Sequence, residues 1–229
     1  MAEQQVKSKK RVADHGEVFT AEREVKAMCD LVKQETERIE SRFLEPACGN
    51  GNFLAEVLSR KLALVKKRYG KSPADFEKFS VLAVTSIYGV ELLPDNAAEC
   101  RARLFALWNK AYTANSRKYA NDRCRASVRF ILEKNILCGD ALTLTRSDGT
   151  PIIFAEWSLV TGSLLKRRDF ALDSLMGNRS AQVTMGTAGW EYDPEIDAFI
   201  PAPLREYPLT DYRNLREAEQ NGRPIQRPI

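Results

Sequence analysis

Apolar positions along this chain follow two rhythms, a period near 3.6 residues and short continuous runs, and the two alternate. From Thr20, placed to cap a helix, Val25, Met28, Cys29 and Val32 recur at helical spacing. Residues 42–45 then read as a short buried strand, running into a Pro46-Ala47-Cys48-Gly49-Asn50-Gly51 turn that needs glycine's backbone freedom. Phe53, Leu54, Val57, Leu58, Leu62 and Val65 return to the helical period, with Gly70 placed to close it. Residues 71–80 read as a polar connection, and Ile87 to Leu92 as a buried strand ending near an acidic residue. Pro94 suits the first turn of the next helix, which carries Leu104, Phe105 and Trp108. Residues 128–132 form another apolar run, and 135–140 and 151–157 read as a third and a fourth strand. Strands alternating with helices predict an α/β doubly wound, Rossmann-like sheet of parallel strands. After Met176, Gly, Asn, Ser and Pro dominate. The predicted organisation is therefore a flexible arm (1–15), one domain (16–175), and an extended tail or partner-docking segment (176–229).

Composition narrows the function classes. With 229 residues and 44% hydrophobic content, one good core can be buried. Five cysteines with no CxxC spacing point to free thiols, and the single histidine, His15, leaves no multi-histidine metal centre, so no metal is predicted. No apolar run approaches membrane-spanning length, and the polar N-terminus has no signal-like core, so a soluble cytoplasmic protein is expected. The net charge of +4 is a mild basic bias. Eight basic residues face one acid between positions 101 and 129, with aromatics interleaved. Arg117, Lys118, Arg123 and Arg125, with a second cluster at Lys166, Arg167 and Arg168, read either as a nucleic-acid face or as solvated surface.

Three loops have the content of a ligand crevice at the carboxyl ends of parallel strands. The Glu45 to Phe53 loop lets the backbone approach a ligand and leads into a helix N-terminus. Glu91 ends a strand, where a carboxylate can accept hydrogen bonds from ribose hydroxyls. Asp140 is placed to accept from the exocyclic amine of an adenine, with Ala141 and Leu142 beside the ring.

In order and strand context these loops resemble a known family. Phe43-Leu44-Glu45-Pro46-Ala47-Cys48-Gly49-Asn50-Gly51-Asn52-Phe53-Leu54 is similar to the S-adenosylmethionine (SAM) motif of N6-adenine-specific DNA methyltransferases. Gly16-Glu17-Val18-Phe19-Thr20 resembles the segment that precedes that motif in gamma-ordered members. Tyr88-Gly89-Val90-Glu91 with Asp95-Asn96, and the stretch Asn135 to Leu142, resemble the next two motifs. The resemblance implies a SAM site of Phe19, Thr20, Glu45, Pro46, Ala47, Gly49, Gly51, Asn52, Phe53, Glu91, Leu92, Asp140 and Ala141. It also implies DNA as partner, in restriction–modification or phage defence. One departure stands out. The family's Asn-Pro-Pro-Tyr strand end, which grips a flipped base, is missing, and no Pro-Pro pair occurs anywhere. That role falls to Glu156 and Trp157, or to a separate catalytic or specificity subunit. The alternative is a catalytically inactive SAM-binding module serving regulation or assembly.

Overall fold

The computed structural model describes residues 5–176, 190–193 and 198–224. Three helices open it: α1 (Lys9–His15), α2 (Glu22–Leu31) and α3 (Lys33–Thr36). The parallel sheet follows, with β1 (Phe43–Glu45), β2 (Ile87–Glu91) and β3 (Ile136–Cys138) in the order β1-β2-β3. Phe43 lies opposite Ile87, and Gly89 opposite Ile136. Between the strands run α4 (Asn52–Tyr69), α5 (Pro73–Thr85), α6 (Pro94–Ser116) and α7 (Asp122–Asn135).

Local chemistry sets these boundaries. Gly51, at φ +88°, turns the chain into α4, which buries Leu54, Val57, Leu58, Leu62 and Val65 as its period predicts. Asn121 caps α7 by accepting from Cys124 N–H at 2.7 Å. Leu104, Trp108 and Tyr112, four residues apart on α6, are all buried, and Trp108 Nε1 donates to Ser80 Oγ at 3.0 Å.

Lys61 of α4 is fully buried. Its ammonium donates to Ile39 O (3.0 Å), Ser86 Oγ (2.8 Å) and Ser41 O, tying the approach to β1 to the turn before β2. Those three acceptors match its three N–H groups, which limits the cost of burying the charge.

Several expectations are corrected. Part of the expected flexible arm is helix α1, with Ser8 capping it by accepting from Arg11 N–H. Thr20 does not cap α2, whose N-cap is Ala21. The expected polar connection at 71–80 is mostly α5, capped by Ser72 and started by Pro73. Its apolar end, Val81 to Val84, is buried on every side, which erases the helical period. The run 128–132 belongs to α7. The expected fourth parallel strand is instead β4 (Ile153–Thr161), antiparallel to β5 (Leu164–Ala171) in a second sheet. No described strand lies beyond β1 to complete a double winding. What the structure shows is a mixed α/β fold with a parallel sheet.

The remaining elements are α8 (Leu172–Leu175), the hairpin β6 (Trp190–Asp193) and β7 (Ala198–Pro201), then β8 (Arg205–Glu206), β9 (Thr210–Asp211) and β10 (Arg223–Pro224). β8 and β9 pair with β5, and β10 with β8. Residues 205–224 of the expected extended tail therefore fold back onto the domain, while β6 and β7 pair only with each other. Tyr212 donates its hydroxyl to Glu77 of α5 at 2.8 Å, and Leu215 N–H donates to Ser127 Oγ of α7 at 3.1 Å. Among the described residues, no helix is long and apolar enough to cross a membrane.

Candidate cofactor crevice

The carboxyl ends of β1, β2 and β3 open into a crevice of about 410 Å³. Its walls come from His15 to Phe19, from Pro46, Ala47 and Gly49 after β1, from Glu91 to Leu93 with Asn96 after β2, and from Gly139 to Leu142 after β3. All three strands therefore feed one cavity, as expected for an open parallel sheet.

Glu91, buried at 8% exposure, organises the floor. Its Oε2 accepts from Gly49 N–H at 2.9 Å; its Oε1 accepts from Leu93 N–H at 3.1 Å and from Asn96 Nδ2 at 3.2 Å. A carboxylate offers about four lone-pair sites, so these three bonds leave room for one more, on Oε2. The strand-end acid thus locks the glycine loop to β2 and keeps a single acceptor position for a ligand. Asp140 accepts from Leu142 N–H through Oδ1 at 2.8 Å, shaping the turn after β3. Its other oxygen has no partner among the described residues. Leu142 is 94% exposed and Leu92 55% exposed, so both offer apolar surface to a flat ring at the mouth.

The roof is held by ions. Glu17 accepts from Arg11 Nη2 at 2.9 Å and from Asn96 Nδ2 at 2.6 Å. Arg11 also donates to Asp95 at 2.6 Å, and Lys7 donates to Asn96 Oδ1 at 2.7 Å and pairs with Glu99 at 2.6 Å. Burial works against the charge on Glu17, yet the Arg11 and Asn96 bonds hold its carboxyl below the usual carboxylate range. A hydrogen bond from Arg11 holds Asp95 well below that range. The segment carrying Phe19 is thereby fastened to the first turn of α6. Gly49, at φ +52°, faces the Phe19 ring so closely that a Cβ there would lie 3.3 Å from it.

Of the residues expected around a cofactor, Phe19, Pro46, Ala47, Gly49, Glu91, Leu92, Asp140 and Ala141 line this crevice. Thr20, Glu45, Gly51, Asn52 and Phe53 do not. Thr20 and Asn52 hold each other, Asn52 Nδ2 donating to Thr20 O at 3.0 Å, and Arg103 donates to Asn52 Oδ1. Burial pushes the Glu45 carboxyl up. Gly51 packs against α6, where a Cβ would come within 2.6 Å of Cys100 Sγ. Cys48 also faces Cys100; the hydrogen bond between them, with burial, pushes its thiol far above the ordinary range, which makes it a poor nucleophile. His15, Val18, Leu93 and Gly139 line the crevice without having been singled out as ligands. Val18 and Gly139 lie inside the motif runs, whereas His15 and Leu93 are only adjacent to them.

Glu156 and Trp157 lie elsewhere. Trp157 is 5% exposed, its Nε1 donates to Asn135 Oδ1 at 3.0 Å, and its ring meets Phe130 edge-on. It is a core residue, not a surface on which a base can stack. Glu156 sits between Arg42 (2.6 Å) and Arg168 (2.6 Å), outside the crevice. Of the basic clusters, Lys166, Arg167, Arg168 and Arg125 are paired, whereas Arg117, Lys118 and Arg123 are exposed. Arg167 is buried, bidentate to Asp169 (2.8 and 2.9 Å), paired with Glu219, and 4.0 Å from the centroid of the Tyr207 ring. Lys166 pairs with Glu206 at 3.3 Å. Arg125 donates to Asn109 and Asp122, and Arg123 approaches Glu217 at 3.9 Å. Lys118 lies over Tyr119, and Arg117 adopts a left-handed φ of +46° after α6. Among the described residues, no cluster of three or more His, Cys, Asp or Glu side chains could hold a metal ion.

The family model for the DNA-methyltransferase domain of MmeI matches residues 19–154, which span all three parallel strands and the strand-end loops of the crevice, but not its wall at residues 15–18. No curated protein and no solved structure gives a match.

Proposed function

The chain belongs to the family of MmeI-type restriction–modification DNA methyltransferase domains, and on that premise we propose that it binds SAM in the crevice and serves as the cofactor half of an adenine-N6 DNA methyltransferase. The observation that supports this most is the convergence of the Gly49 loop, Glu91 and Asp140 on one cavity. Its volume falls within the roughly 300–1,000 Å³ of small-molecule sites.

The residues present fit such a ligand. Glu91 Oε2 would accept from one ribose hydroxyl rather than two, because its other sites are filled. The unpartnered oxygen of Asp140 would accept from the adenine amine, with Leu92 and Ala141 packing beside the ring. Phe19, Pro46 and Ala47 would enclose the methionine end. When bound, SAM supplies an activated methyl group. This chain's contribution is orientation and exclusion of water, the means by which positioning lowers a transfer barrier.

The grip on the target amine does not come from the crevice walls. Asn96 is committed to Glu17 and Glu91, the open acceptor of Glu91 is reserved for the ribose, and Trp157 is core. On this reading the residues that hold the base lie outside the described crevice, with a separate catalytic or specificity subunit as the candidate source and DNA as the substrate. Calorimetry with SAM tests the reading. Saturable binding at micromolar to millimolar concentration is expected, and its absence refutes the assignment.

A further inference from the structure

Helices α4 and α6 both leave from the crevice side, α4 just after the Gly49 loop and α6 just after Leu93. At about 1.5 Å per residue, their 18 and 23 residues carry their carboxyl ends about 27 and 35 Å away. The two ends meet there: Lys66 and Lys110 line one cleft, and Asn115 lies beside Gly70. Lys66, Lys67, Arg68 and Lys71 are exposed at the end of α4, and Lys110, Arg117 and Lys118 toward the end of α6. None of the seven has an ion-pair partner among the described residues. The neighbouring acids Asp75 and Asp122 are taken by Lys78 at 3.7 Å and Arg125 at 2.9 Å. Without these seven cations the chain's net charge of +4 becomes −3, so its positive excess sits on this end. The attraction of a helix's carboxyl end for cations fades within its last turn, which does not account for Lys110, more than a turn before Ser116.

The surroundings of these cations select the partner. Apart from Leu92 at the crevice, Tyr119 is the one large apolar side chain exposed between residues 52 and 135. A protein interface is built on an apolar core, and a membrane surface takes apolar anchors; this end offers neither. A single aromatic also gives no stacking path for a single strand. Crowded cations alone suit a sugar–phosphate backbone. We propose that this end of the molecule binds the backbone of duplex DNA without reading its sequence, at a segment separate from the one presented to the crevice. A straight duplex laid across the crevice mouth does not reach it. The proposal does not depend on SAM binding, so either can fail without the other.

Fluorescence anisotropy of a short labelled duplex of mixed sequence, repeated at several salt concentrations, tests it. Saturable binding at low salt is expected, weakening as salt rises. Lys67→Gln, Lys71→Gln and Lys118→Gln together should reduce the slope of log affinity against log salt by about 2.7, three phosphate contacts at about 0.9 each, and weaken low-salt binding at least about 10-fold. Arginine at the same three positions should keep the wild-type slope. All three side chains are exposed, and unchanged circular dichroism and urea midpoints show that the variants stay folded. A control, Lys9→Gln, Lys10→Gln and Arg23→Gln, removes the same charge from α1 and α2 and should bind like wild type. No saturable binding of the duplex, or an equal loss in the control, overturns the proposal. So does tighter binding to single-stranded DNA of the same length, to polyglutamate, or to vesicles of phosphatidylserine and phosphatidylcholine.

Discussion

At the crevice, Asn96 joins Glu17 to Glu91, Glu91 and Asp140 hold the surrounding backbone, and both of these acids keep acceptor capacity toward the cavity. At the antiparallel sheet, Arg167, Asp169 and Tyr207 are buried and bonded together, with half-buried Glu219 pairing Arg167 from outside. The residue types are similar and both groups are hydrogen-bonded. What separates a candidate site from a structural network is unfilled hydrogen-bonding capacity facing a cavity. Charge clustering in the sequence did not separate the two, since Lys166-Arg167-Arg168 lies in the closed network and its flank.

Breaking the closed network should have the largest effect. Arg167→Ala leaves Asp169 and Glu219 without their shared cation, and should cost about 3–5 kcal/mol of stability in denaturant titrations. SAM affinity of the folded fraction should not change; a parallel loss of affinity would show that the two regions are coupled.

Gly51→Val is next. The new side chain would collide with Cys100 Sγ at a backbone φ of +88°, so a cost of about 2–4 kcal/mol is expected in the same measurement. Any loss of SAM binding should then track the shift of the glycine loop, because Gly51 itself does not line the crevice. A variant as stable as wild type would contradict that packing.

Glu91→Ala should act mainly on the ligand, weakening SAM about 10–100-fold through the lost ribose bond and the freed Gly49 loop. Calorimetry showing wild-type affinity would remove Glu91 from the site.

The smallest effect is a pH dependence from Lys61. Burial lowers its amine from the usual 10.5 to about 7. Between those values the unfolded chain binds more protons than the folded one, so the Lys61 contribution to stability rises with pH across that window and is flat below it. The slope cannot exceed about 1.4 kcal/mol per pH unit. Urea midpoints from pH 7 to 9 should rise more steeply for wild type than for Lys61→Met; identical slopes would show that the amine stays charged.

Much of the crevice was legible because it is local. The Gly49 loop, Glu91 and Asp140 each close a short strand, and strand ends on one side of a parallel sheet meet by topology alone. The second sheet was not legible. β5 carries Lys166-Arg167-Arg168-Asp169 in mid-strand, and only the distant partners Tyr207 and Glu219 make Arg167 and Asp169 buried residues. α5 was missed for the opposite reason, since a segment buried all round shows no period. Trp157 looked like a stacking surface because the sequence cannot show that Asn135 and Phe130 enclose it.

The fold-back of residues 205–219 has a consequence for how the protein is made. Glu77 and Arg167 leave the ribosome well before Tyr212 and Glu219, and the Glu77–Tyr212 bond spans 135 positions. Until those late residues emerge, Glu77 has only Tyr112 and Asn121 as partners and Arg167 only Asp169. Contacts so distant in sequence slow folding. The parallel sheet with its helices can form early, but closing the core waits for the last stretch of described chain, so stalled synthesis near residue 200 should leave a species that chaperones or proteases recognise.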